Sequence, residues 1–265
     1  MKSEGRPQLN LTASQRANLA ARLTLKPDRS DRGGILPATG EALSLPQKNA
    51  AQSAARVAAL AKALRRERLV VPVPVETDPH SEIHEHQGLG EDDHVPLATA
   101  DTKAGPVVVA FSSAEELYKW DPQARPMTMS SQKVALTAGL ATSAGQIWVD
   151  PASDGHAVLP RQVVHALAGG DEWLAPWEDA SLRTQLTKTA KDSCPLVVSV
   201  SVKPASFPSK WEGAVDVTVY VDGSGRKDEE VRACLTRAVR DMAALPRLVS
   251  AATEVNFIPR LVALV

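Results

Sequence analysis

The sequence predicts an α/β (α+β) protein, with a mixed β-sheet flanked by helices and a second, smaller β-β-α-β lobe at the C-terminus. Three observations carry this expectation. Between Gly105 and Gly170, short apolar runs alternate with capped helix-like runs, and Pro, Gly or Asp stands at each break. Further on, VSVSV (198–202) and VDVTVYV (215–221) alternate with the period of two expected of strands buried on one face. Finally, Val231, Cys234, Leu235, Ala238, Val239 and Met242 fall on one face of a helix over 226–243.

The 265 residues suffice for one large domain or two small ones, and 43% apolar with 23% charged residues is an ordinary globular balance. Aromatic residues are only 4%, so Ala, Val and Leu must fill the core. A net charge of -1 gives no reason to expect nucleic acid or an anionic membrane as partner. No apolar run approaches the roughly 18 residues of a membrane span, and the first residues lack the apolar core of a signal peptide. Two cysteines, Cys194 and Cys234, fit a reducing cytoplasm better than a disulfide scaffold.

Residues 1–47 read as a flexible N-terminal arm. Thr12 and Gln15 form a capping box for a short helix to about Leu25, and Pro, Gly and charge beyond it suggest linker. A main domain is expected over 48–170. Its first helix, Lys48 to Arg66, repeats Ala54, Val57, Ala58, Ala61 and Leu64 on one face, with Arg56, Lys62 and Arg65 mostly elsewhere. In the next strand, Leu69 to Val75, Pro72 and Pro74 lack N–H groups on the same side, which places it at a sheet edge with the prolines outward. Residues 76–94 carry many carboxylates and no Lys or Arg, and read as a mobile acidic loop. Val107 to Phe111 is a buried strand, and Ser112 with Glu115 caps a helix that turns Leu117 and Trp120 to the core before Asp121-Pro122 stops it. MTM (127–129) is a short strand, Ser130 or Ser131 caps the helix bearing Val134, Ala138 and Ala141, and QIWVD is the next strand. Asp154-Gly155 turns the chain into HAVL, Pro160 opens a helix and Gly169 ends it. Residues 171–193 are a linker with helix at 178–191. Residues 194–265 form the small α+β domain, ending in a strand from Val255 to Leu264.

Candidate chemistry is sparse. His80, His84, His86 and His94 share the acidic loop with Glu82, Glu85, Asp92 and Asp93, a donor set suited to divalent metals. Loop spacing fixes no geometry, so a solvated polar loop is the plainer reading. Cys194 lies near Lys188 and Lys191 in sequence, but both cysteines read first as small core residues. His156 and His165 lack the G-x-S-x-G elbow that would place them in a triad. Asp222 to Gly225, D-G-S-G, opens a helix but lacks the Lys and Ser/Thr of a phosphate-binding loop. Trp173 and Trp177 flank Pro176 in the linker and are candidates for partner binding, against the alternative that they glue the linker to its own domain.

The order F-S-S-A-E-E-L-Y-K-W-D-P-Q-A-R-P, a helix, I-W-V-D-P and then L-P-R resembles the SseB family, whose name stands for enhanced serine sensitivity. The resemblance runs from the Lys48 helix to about Ala168, so 48–170 corresponds to an SseB-like N-terminal domain. It implies no reaction, and no catalytic residue is carried over from it. The expectation is a cytoplasmic, non-enzymatic protein without cofactor that binds an unknown protein partner. Neither nucleic acid nor membrane is expected, and self-association is left open. The alternative is a divalent-metal-binding protein using loop 76–94.

Overall fold

The computed structural model describes residues 31–73, 97–102, 105–208 and 211–262. The fold is α+β, with eight helices and three sheets among these residues. In chain order the elements are α1 (Pro37–Ser44), α2 (Ala50–Leu64), β1 (Arg68–Val73), β2 (Thr99–Thr102), β3 (Gly105–Ala110), α3 (Ala114–Trp120), β4 (Arg125–Ser130), α4 (Ser131–Ala141), β5 (Ile147–Val149), β6 (Ala157–Leu159) and α5 (Arg161–Gly169). The remaining elements are α6 (Ala180–Ser193), β7 (Val197–Pro204), β8 (Ala214–Asp222), α7 (Asp228–Ala243), α8 (Pro246–Ala251) and β9 (Glu254–Val262).

The first lobe is built on a four-stranded sheet in the order β2-β3-β5-β6. β3 and β5 pair in parallel, and their crossover is α3-β4-α4. One face of this sheet packs Val108, Ala110, Ile147, Val149 and Leu159 against Val57, Leu60 and Leu64 of α2, Val134 and Ala138 of α4, and Val163 and Leu167 of α5. On the other face, α3 sets Leu117 against Val109, Phe111 and Val70. Each fully buried Leu or Val contributes about 1.5–3 kcal/mol by leaving water.

β1 and β4 form a two-stranded antiparallel ribbon in which Pro72 stands opposite Pro126. Val70 exchanges 2.8 Å hydrogen bonds with Phe111, so its N–H, and the position of the missing N–H two residues on at Pro72, face away from β4. The expected edge placement is met on that side in part. β1 touches β3 through this single bridge and then leaves it, because Pro72 offers nothing to continue the ladder.

Residues 31–47, read as part of a flexible arm, differ from that expectation. Asp31 takes a bidentate pair from Arg68 at 2.6 and 2.7 Å, Gly33 O accepts from Ala114 N, and α1 spans a stretch read as linker. α1 is held by tertiary contact: the Glu67 carboxylate accepts from the N–H groups of Ala38 and Thr39, where the helix dipole favours a negative charge. The expected helix at 12–25 lies outside the described residues, as does the 76–94 loop. Caps fall within one residue of expectation. Ser113 rather than Ser112 caps α3, Ser130 caps α4, Pro160 is the residue before α5, and Gly170 (φ 76°) rather than Gly169 closes it.

The second lobe has the order β7-β8-β9, with β8 antiparallel to β7 and parallel to β9. α6 and α7 cover one face with Leu182, Leu186, Ala190, Val231, Ala238 and Met242 over Val215, Val217, Val219 and Val221. α8 is an addition to the expected β-β-α-β order. Cys194, capping α6, and Cys234 on α7 form a disulfide across 40 residues, correcting the expectation of two separate thiols. A loop of that length contributes roughly 2–4 kcal/mol when cross-linked.

The two lobes meet at Trp211. The residue is 3% exposed, its main-chain N–H donates to Ser53 Oγ on α2 at 3.0 Å, and its Nε1 donates to Ala214 O at the start of β8. Beside it, Gly213 adopts φ 103°, and a Cβ there would lie 2.9 Å from Pro160 Cβ and closer still to Thr253 Oγ1. Trp211→Ala is expected to cost about 3–5 kcal/mol and to split urea unfolding into two transitions followed by circular dichroism. A single unshifted transition would refute this role.

Candidate functional site

Because β3 and β5 run parallel, their C-terminal ends open on the same side, the usual place for function in such sheets. There the two segments behind the family resemblance meet. Asp150, ending IWVD, is 4% exposed and sits at φ 53°. Its N–H donates to Ala110 O at 3.0 Å, and its Oδ1 accepts the Ser112 N–H at 2.7 Å. Asp is among the few residues that tolerate positive φ, because its short side chain bonds locally. Ser113 Oγ then accepts from Glu116 N to start α3.

Burial pushes the Asp150 carboxyl up to about 6, against the opposing pull of the Ser112 N–H and hydroxyl. With its carboxylate buried and already engaged by the main chain, Asp150 serves as an anchor for the turn into α3. At the far end of α3, Trp120 stacks at a tilt on Phe111, ring centroids 5.5 Å apart. The helical spacing puts Trp120 in the core, but it is 37% exposed, while Leu117 alone of the helix is fully buried. Tyr118, two residues earlier and so on a different face of the helix, is 45% exposed, and Lys119 pairs with Glu115 and Glu116. The helix is thus fixed at both ends and shows two aromatic rings to solvent.

Arg56 corrects a second expectation. It is 4% exposed, not on a solvated helix face. Its guanidinium donates to Leu45 O at 3.2 Å and to Gly155 O, stitching the chain before α2 to the β5–β6 turn. Burial lowers its pKa, with the Asp150 charge working against that.

The other sequence candidates are scattered over the molecule. Trp173 and Trp177 are half-buried and join Trp211 in a three-ring cluster, with centroids 5.2–6.0 Å apart. Trp177 packs against the cores of both lobes. Leu174 between them is 51% exposed. His156 lies edge-on to Trp148 with Nδ1 3.0 Å from Ser153 O, and His165 is exposed on α5. Asp222 accepts from Ser224 N in a turn, and α7 begins only at Asp228, so D-G-S-G does not lie on a helix N-terminus. His80, His84, His86 and His94 lie outside the described residues, among which no group of three or more His, Cys, Asp and Glu could hold a metal.

Asp150 generates a pH prediction. A carboxyl raised from 3.8 to about 6 by folding favours the native state while protonated. That contribution is present below the unfolded value and is lost as pH rises through about 6. Asp150→Asn keeps the acceptor for Ser112 N and tolerates φ 53°. It should match wild type near pH 4 and exceed it in stability by pH 7.5, by up to about 3 kcal/mol less whatever the Arg56 charge loses. Urea midpoints at both pH values measure this; a variant weaker than wild type at pH 7.5 refutes it.

No curated protein and no solved structure matches the chain. Residues 45–166 match the family model of the SseB protein N-terminal domain, a span that contains α2, α3 and the Ser112–Asp150 junction. With the fold of that segment and its two meeting motifs in place, residues 45–166, a little under half of the chain, are similar to the SseB protein N-terminal domain.

Proposed function

We propose that the protein is a non-enzymatic module that works by binding another protein, and that it does so through α3. The observation that supports this is the half-exposed pair Tyr118 and Trp120 on a helix held at both ends within the family segment. The Trp120 ring already rests on Phe111 and so loses little entropy on docking, and Trp and Tyr are enriched among interface residues that carry binding energy. A phenol and an indole N–H at the edge of two apolar rings suit an apolar partner patch with hydrogen-bond acceptors at its rim. Trp173 and Trp177, with exposed Leu174, belong to the same proposal as a second contact region.

Among the described residues no helix is long and apolar enough to cross a membrane. The cytoplasm is part of the proposal; the Cys194–Cys234 bond speaks against it, because that compartment keeps thiols reduced.

Tagged wild type and Tyr118→Ala/Trp120→Ala, purified from the native host, test the reading. Both should fold, the variant losing only about 1–2 kcal/mol because Trp120 gives up one ring contact and part of its burial. The variant should lose a protein that the wild type retains. Equal recovery of every partner would refute the α3 surface.

The metal-binding reading rests on four of the six histidines lying within 80–94 among carboxylates. Zinc titration by calorimetry decides it: micromolar binding that disappears in His84→Ala/His86→Ala supports it, and no such binding removes it.

A further inference from the structure

In the second lobe, α6 lies over β7, and β7 is the outer strand of its sheet. Ala205 N donates to Ala214 O, so in the β7–β8 register Ser201 and Lys203 face β8 with their main-chain groups, while Val200 and Val202 turn theirs outward. Their side chains stay buried beneath α6. The outer flank of α6 and this strand edge border an open groove of about 590 Å³, whose lining includes the cations Arg183, Lys188 and Lys191, the single carboxylate Asp192, and Val200. Residues 180–204 carry Arg183, Lys188, Lys191 and Lys203 against the single acid Asp192, in a chain whose net charge is -1. Lys188 and Lys191 are exposed and make no ion pair among the described residues.

Among the described residues the other strand edges are short or carry a proline: β2 has four residues and β6 three. Pro72 stands on β1, Pro126 on β4 and Pro259 in the middle of β9, each removing a donor. β7 is eight residues long and meets a proline only at its last position, Pro204. An unblunted edge beside an unneutralised basic flank fits one kind of occupant.

We propose that β7 is a docking site for an extended acidic peptide segment of a partner protein. The segment adds as a strand along Val200 and Val202, with its carboxylates reaching Lys188 and Lys191. Main-chain pairing supplies affinity, and the charge on α6 supplies selectivity. This site lies outside the family segment and does not depend on the α3 surface.

The test uses the full chain and two fluorescein-labelled probes, an eight-residue Thr-Glu repeat and its Thr-Gln counterpart. In fluorescence anisotropy the acidic peptide should bind at least roughly tenfold more tightly than the neutral one, and Lys188→Glu/Lys191→Glu should remove about that factor. Both lysines are exposed, so the variant retains its circular dichroism spectrum. Saturating peptide should also slow amide exchange at Val200 and Val202, which simple ion pairing to α6 does not do. Absence of acidic-peptide binding at concentrations on the order of 1 mM overturns the proposal. So does equal affinity for the reversed variant, or unchanged exchange at both valines.

Discussion

The hydrogen bond from Ser112 N to Asp150 Oδ1 is the interaction on which the first lobe is arranged. Two parallel strands leave their C-terminal ends side by side, and pairing alone does not direct the chain beyond them. Here one strand continues into a helix and the other into a tight turn, and the buried carboxylate ties them together. It fixes where α3 begins. Leu117 then fixes which face turns inward, and the Phe111 ring receives Trp120 at the other end. The presentation of Tyr118 and Trp120 is therefore a product of the sheet, not of a surface loop. A carboxyl held near 6 is the energetic sign that burial was accepted for geometry.

The second lobe depends on the first through aromatic packing. Trp211 fills the seam, Trp173 and Trp177 close over it, and Gln162 accepts from Thr253 Oγ1 across the joint. The segment after α5 is thus less a tether than a lining, because its tryptophans serve both cores. Behind that seam the disulfide holds α6 beside α7, so the basic flank of α6 keeps its place over β7.

Much of the fold was legible because periodicity reports which side of an element leaves water. The apolar face of α2, the alternation in β7 and β8, and the caps Ser130 and Ser113 all derive from neighbours in sequence. What was missed depends on distant partners. α1 looks like linker because its stabilising carboxylate, Glu67, lies 28 residues beyond Thr39. Arg56 looks solvated because periodicity treats every arginine as exposed, whereas two main-chain carbonyls from separate turns bury this one. Cys194 and Cys234 lie 40 residues apart, and no spacing rule joins a helix cap to the face of another helix. Trp211 gives no signal at all, since a lone tryptophan between polar residues sets no pattern. At the site itself both motifs were visible, but their meeting was not, because parallel pairing cannot be read from either strand alone.

Gly213 carries a consequence for modularity. Its left-handed backbone and the lack of room for a Cβ between Pro160 and Thr253 mean that the joint is set by a missing atom. The family segment ends at residue 166, which invites treating the rest as a detachable part. The contacts say otherwise. A graft of this second lobe onto a different SseB-like N-terminal domain would have to bring Pro160, Ser53 and the three-tryptophan lining along, or the hybrid would place its lobes at a different angle. A cut that frees either lobe intact therefore has to leave this joint whole, and the second lobe carries on its own surface the imprint of the first.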